Sequence, residues 1–111
     1  MARFVKGEVI IIPFPFSDLS SSKLRPALVL ADLAGEDIVL CQITSQKSPK
    51  DAFAIPIDTA DFATGALVSA GNIRPSRLFT ADKNLIVKSV GTIQSTLYQK
   101  VVEAITKMIE L

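Results

Sequence analysis

Histidine and tryptophan are both absent from this 111-residue chain, and cysteine occurs once, as Cys41. Each absence removes a body of chemistry. Without an imidazole there is no His general acid–base pair and no His to activate a serine or cysteine nucleophile. One cysteine allows neither an intrachain disulfide nor a thiolate metal cluster, which points to a reducing, cytoplasmic setting. An excess of one charge is missing too: twelve Lys and Arg against eleven Asp and Glu leave a formal net charge of +1. Any site for a polyanion must therefore come from local clustering and not from the field of the whole molecule. No apolar run is long enough to span a bilayer, and the N-terminus lacks the basic, apolar and small-residue succession of a signal peptide.

The chain does carry a 49% hydrophobic composition with an ordinary 21% of charged residues. That is enough for one folded domain, residues 1–111, with a core of its own. Glu8 to Phe14 is a β-branched run that reads as a strand apolar on both faces, with Pro13 and Pro15 marking an end that is an edge or leaves the sheet. A polar loop from Phe16 to Leu24 leads to a strand from Arg25 to Asp32, and the Gly35-Glu36 turn makes a hairpin with a strand from Asp37 to Thr44. Ser45 to Asp51 is a loop. Further strands are expected over Ala52 to Ile57, from Ala66 to Ala70 continued through Arg74, and from Leu85 to Ile93 with a bulge at Gly91. Thr59 to Thr64 reads as a link or one helical turn, and Pro75 to Asn84 as a connection.

The C-terminus changes period. Thr96 to Gln99 has capping-box spacing. Leu97, Val101, Ile105 and Met108 then recur at helical intervals, opposite a face of balanced charge that includes Glu103 and Lys107. Short strands and one terminal amphipathic helix predict a mainly β (α+β) protein: a small, strongly bent antiparallel sheet or barrel with the helix packed on it.

The most informative stretch is Lys23-Leu24-Arg25-Pro26, opening into Ala27-Leu28-Val29-Leu30-Ala31. Pro26 suits the start of a strand and biases Arg25 toward extended backbone. A guanidinium held there, beside the hydroxyl-rich loop Ser17 to Ser22, is what a phosphate site needs; taken alone, the tetrapeptide reads better as a solvated strand-end charge. Lys23, Lys47 and Lys50 offer backbone attraction. Cys41 lies in an apolar strand and reads as a buried thiol. Asp58 and Asp61 lack a third ligand for a metal.

Taken in order, Gly7-Glu8-Val9-Ile10 with Pro13-Phe14-Pro15-Phe16-Ser17-Asp18, then Lys23 to Leu30, then Gln42-Ile43-Thr44-Ser45, and later Asn72-Ile73-Arg74, resemble the PemK/MazF-like toxins of bacterial type II toxin–antitoxin systems. The resemblance covers nearly the whole chain. It implies an SH3-like barrel with appended helices, a homodimer, a cytoplasmic location, and metal-independent cleavage of single-stranded RNA without a cofactor. It also implies a cognate antitoxin whose acidic segment blocks the RNA groove. On this resemblance Arg25 takes the place of the catalytic arginine and Thr44 that of the catalytic threonine. Ser45, Gln46 and Arg74 fall on RNA-contacting positions, with Lys23 beside them. The chain departs from the family at Ser69 and Gly71, where some members carry acidic or basic residues, at Leu24, where relatives often have a second basic residue, and in lacking a first-loop histidine.

RNA brings its own nucleophile, the 2′-OH, which attacks the adjacent phosphorus and leaves a cyclic phosphate. Arg25 can donate charge-assisted hydrogen bonds to the non-bridging oxygens as they gain charge, and Thr44 can orient the 2′-OH or the phosphate. The first proton is left to Asp18, Asp51 or water. Two alternatives stand beside cleavage. One is a non-catalytic toxin of the same fold that binds protein, as gyrase poisons do through a tryptophan-containing C-terminal end; this chain has no Trp. The other is a nucleic-acid-binding module that does not cut.

Overall fold

Glu8–Phe14 (β1) carries aliphatic side chains at every position from Val9 to Ile12, and both of its faces are covered. Val9 joins one buried cluster, while Ile10, Ile12 and Phe14 join another on the opposite side of the sheet. A strand buried twice needs layers on both sides, and these follow from the rest of the chain. The computed structural model describes residues 3–14, 23–45 and 50–111.

Lys23–Asp32 (β2) and Asp37–Thr44 (β3) form the expected hairpin around Gly35, whose φ of +77° is the left-handed value a tight turn asks of glycine. Ile55–Ile57 (β4), Phe62–Gly65 (β5), Gly71–Asp82 (β6) and Lys88–Ile93 (β7) complete one antiparallel sheet, ordered β4-β6-β3-β2-β1-β7-β5. It curls into a half-barrel. The C-terminal helix Ser95–Ile109 (α1) covers one face with Leu97 and Val101, packed against Val9, Leu28, Ile43 and Ile73. Each such aliphatic side chain removed from water contributes about 1.5–3 kcal/mol. On the other face Ile10, Ile12, Val29 and Leu40 pack under Phe79, whose ring meets Phe14 edge-on with centroids 4.7 Å apart. Beyond Ile11, β1 pairs only with β2, so the proline-marked end is edge-like as expected.

Several boundaries differ from the sequence reading. The second strand starts at Lys23, before Pro26, because Pro26 sits inside the β1–β2 ladder opposite Ile11. The segment from Ala66 to Ala70 is not a strand. It joins β5 to β6, which lie toward opposite ends of the strand order, so it crosses open space and leaves Val68 fully exposed. Pro75 to Asn84 is largely strand: β6 runs to Asp82, and Pro75 is accommodated where the register jumps from Gln42↔Arg74 to Cys41↔Leu78. Ala52 to Ala54 turn before β4, and Leu85 closes a 3₁₀ turn before β7. Near Gly91 the β1–β7 register shifts, as a bulge requires. The Thr96–Gln99 capping box does not form. Gln94 is the N-cap, and its side-chain amide donates to the Ala60 carbonyl at 3.1 Å instead. Asp58 and Asp61 make the capping box that does exist, around the 3₁₀ turn Thr59–Asp61.

Candidate functional site

The β2–β3 ladder pairs Ala27 with Gln42. Carried two residues toward the open end, that register sets Arg25 opposite Thr44, on one face of the sheet. Both line a cleft of about 560 Å³ at the ends of the two strands, together with Lys23 and Ser45. Its far wall is the crossing segment, Leu67 to Ala70, which packs no charge against it. Among the described residues the lining holds three cations, Lys23, Arg25 and Lys88, and no carboxylate. A nearly neutral protein thus concentrates positive charge in one concavity.

Lys88 carries no signal in the sequence. It reaches the cleft because β7 pairs with β1, setting Lys88 beside Ile11, which in turn pairs with Pro26. These long-range pairings put Ile11, Pro26 and Lys88 on the face opposite Arg25 and Thr44, and the cleft opens where the two faces meet at the strand ends.

Gly71 lines the same cleft, and its position explains why no acidic or basic side chain stands there. A Cβ on Gly71 would collide with the Thr44 carbonyl oxygen and lie 3.2 Å from the carbonyl carbon. The absence of a side chain lets β6 close on the backbone that presents Thr44.

Arg74 stands apart from the cleft lining. Its Nε donates to Asp51 Oδ2 at 2.9 Å, and Ser76 Oγ donates to the same oxygen at 2.6 Å, while Asp51 Oδ1 accepts from the Phe53 backbone at 2.9 Å. Desolvation pushes the Asp51 carboxyl up, but the donors from Ser76, Arg74 and Phe53 outweigh it and hold it below the usual carboxylate range. Asp51 is thus committed as an acceptor in a structural pair. A carboxyl with a depressed folded-state pKa gives its stability in full above the unfolded value, near 3.9, and loses it as pH falls through the lower folded value. Asp51→Asn is expected to lower unfolding free energy by about 1–3 kcal/mol at pH 7, with the gap to wild type closing below about pH 4 in urea titrations.

Cys41 is fully buried, its thiol donates to the Arg74 carbonyl at 3.0 Å, and burial pushes its pKa up to about 12. It is an inert core group, as expected. Gln46, Asp18 and Lys47 lie outside the described residues. No helix among the described residues is long and apolar enough to cross a membrane.

A second depression, of about 510 Å³, adjoins the Arg25–Thr44 face through Ile12, the β1 partner of Arg25, and through Gln42.

Solved structures share this architecture. A mycobacterial endoribonuclease in complex with its cognate antitoxin superimposes with a TM-score of 0.77 at 13% identity, covering 98% of this chain and 97% of that one. The Mycobacterium tuberculosis toxin MazF-mt6 gives 0.73 at 18% identity over 94% and 97% of the two chains. A MazE–MazF structure from Deinococcus radiodurans gives 0.70 at 15% over 94% and 92%. At these identities the likeness speaks for the fold alone. No curated protein matches the sequence. The family model describing PemK-like, MazF-like toxins of type II toxin–antitoxin systems matches residues 5–109, nearly the whole chain, and the protein belongs to that family.

Proposed function

We propose that this chain is a metal-independent endoribonuclease that cuts single-stranded RNA by attack of the 2′-OH on the adjacent phosphate, and that it serves as the growth-inhibiting member of a toxin–antitoxin pair in the cytoplasm. The observation that carries this reading is the convergence of Arg25 and Thr44 on one face, at one cleft that holds three cations and no carboxylate among its described lining.

In this reading Arg25 stabilises the charge that builds on the non-bridging oxygens, the usual source of the largest rate effect when a dianionic phosphorane-like state forms. Its guanidinium is too basic to accept a proton. The Thr44 hydroxyl orients the 2′-OH or the phosphate. Water, or a residue outside the described set such as Asp18, takes the first proton, because Asp51 is held by Arg74 and Ser76. Lys23 and Ser45 contact the RNA backbone at the cleft edge, and Gln46 is assigned the same role on family position. Arg74 acts by anchoring the β6 end beneath the site, and contacts RNA only if its pair with Asp51 opens.

The cationic lining suits an antitoxin bearing an acidic segment, and the relatives solved with antitoxins support such a partner. Leu24 and Val68, 59% and 106% exposed at the cleft, favour a homodimer that covers them.

The test is incubation of the purified protein with a long single-stranded RNA in EDTA, followed by mapping of the fragment ends. Discrete cuts with cyclic-phosphate ends, abolished by a single 2′-deoxy substitution at the cut site, are expected. RNA bound but left intact would favour the non-cutting module. Lys88 should act on binding alone: Lys88→Gln is expected to reduce the slope of log affinity against log salt by about 0.7, the contribution of one single-strand phosphate contact, in anisotropy titrations at several salt concentrations.

A further inference from the structure

Arg74 belongs by register to the face that carries the site. The β3–β6 ladder pairs Gln42 with Arg74 and Thr44 with Asn72, so Arg74 is the diagonal cross-strand neighbour of Thr44, typically about 7–8 Å away. Its guanidinium is nonetheless turned to Asp51, and the contact is narrow: Nε donates to Oδ2 at 2.9 Å. A guanidinium that meets an anion squarely gives two parallel hydrogen bonds, the stronger arrangement. Asp51 takes one prong only.

The pair is also arranged to come apart at low cost. Ser76 Oγ donates to Asp51 Oδ2 at 2.6 Å and the Phe53 amide to Oδ1 at 2.9 Å, so the carboxylate keeps two donors when the guanidinium leaves. Breaking an ion pair is expensive when it strands a buried charge without a partner, and that condition is not met here. Arg74 is the more accessible of the two, its side chain 15% exposed against 6% for Asp51. Its backbone is fixed meanwhile by the ladder and by its carbonyl, which accepts from the Cys41 thiol at 3.0 Å. Opening is therefore a swing of one side chain on a held strand. A second anion would draw that side chain away, and one with two oxygens side by side draws it best, since it takes both prongs. A phosphodiester passing Thr44 brings such oxygens to this face.

We infer that the Asp51 carboxylate is a built-in competitor for an RNA phosphate, holding the Arg74 guanidinium in the free protein and yielding it to a phosphodiester beside the scissile one. The inference rests on the ribonuclease reading for the identity of the anion. Asp51 thus sets the affinity for RNA without touching it, because binding must first free Arg74 and the apparent affinity is reduced by the fraction of molecules in which it is free. Ser76 sets how readily that happens, by keeping Asp51 satisfied in the open state.

Anisotropy titrations with a fluorescein-labelled, 2′-O-methylated single-stranded RNA, which lacks the nucleophile and stays intact, test this at several salt concentrations. Asp51→Asn keeps an acceptor for the Phe53 amide but offers Arg74 no anion. It is expected to tighten binding by about fivefold or more and to steepen the slope of log affinity against log salt by about 0.7, one further phosphate contact. Both gains should vanish in Asp51→Asn/Arg74→Gln. A gain that persists there is a field effect of the lost charge and overturns the competition. Ser76→Ala should act in the opposite sense, weakening RNA binding by about two- to tenfold, because Asp51 then depends on Arg74 for a donor. A purely structural pair predicts weaker or unchanged binding in Asp51→Asn, and that result overturns the inference while cleavage by wild type leaves the nuclease reading standing. If wild type binds RNA without cutting it, the nuclease reading fails and the same titrations still decide: tighter, Arg74-dependent binding in Asp51→Asn supports the competition, and unchanged binding overturns it.

Discussion

Arg25→Ala is expected to lower kcat by about 10²–10³-fold, the usual cost of removing one preorganised donor to developing charge, with a much smaller change in KM. The asymmetry follows from where the charge appears. A phosphodiester carries one negative charge in the ground state and gains more as the 2′-oxygen attacks, so an interaction with the non-bridging oxygens strengthens on the way to the transition state. Lys23 and Lys88 line the same cleft, and they keep most of the ground-state attraction when Arg25 is lost. Arg25→Lys should recover only part of the rate, because an ammonium cannot reproduce the planar bidentate fork. Single-turnover kinetics with saturating enzyme separate the two effects. A variant whose loss falls on KM would make Arg25 a docking charge.

Gly71→Ala should cost about 10²-fold in rate, the scale associated with an ångström of misplacement at a reacting group, and about 1–3 kcal/mol in stability from overpacking. The added methyl has nowhere to go: it meets the Thr44 carbonyl oxygen and comes 3.6 Å from the Ser45 Cα. Backbone cannot rotate away as a side chain can, so β6 and the end of β3 must separate, and Thr44 moves with them. Gly35→Ala supplies the contrast. Gly35 has φ +77° and nothing within 4 Å of its absent Cβ, so the variant pays a backbone cost of about 1 kcal/mol while the cleft keeps its shape. Equal activity losses in the two variants would trace the effect of Gly71→Ala to stability and remove the positional argument.

The legible parts of this fold are the local ones. β1, the hairpin from Lys23 to Thr44 and the helix could be read because each announces itself within a dozen residues, by β-branched runs, a Gly-containing turn or helical period. The arginine and threonine were legible through their place in an ordered set of motifs. What escaped depends on pairing across long separations. Whether Ala66 to Ala70 becomes a strand is decided by the distance it must cross between β5 and β6, and nothing in its composition records that. Pro75 looked like a terminator because the jump in the β3–β6 register that accommodates it involves residues more than thirty positions away. Lys88 is an ordinary strand residue by composition. Its interest comes from what the sheet places beside it, next to Ile11 at the cleft. The Arg74–Asp51 pair is similar: 23 positions apart, it turns one expected RNA contact and one expected proton acceptor into each other's partners.

The central claim is that the position 25 guanidinium and the position 44 hydroxyl work on the same phosphodiester, and a double-mutant cycle on the cleavage step measures it. Single-turnover rates for Arg25→Ala, Thr44→Val and the double variant, on one RNA in EDTA, should show the two losses failing to add, with a coupling of about 0.5–3 kcal/mol. Losses that add in full would mean that the two side chains act independently, and would contradict the site.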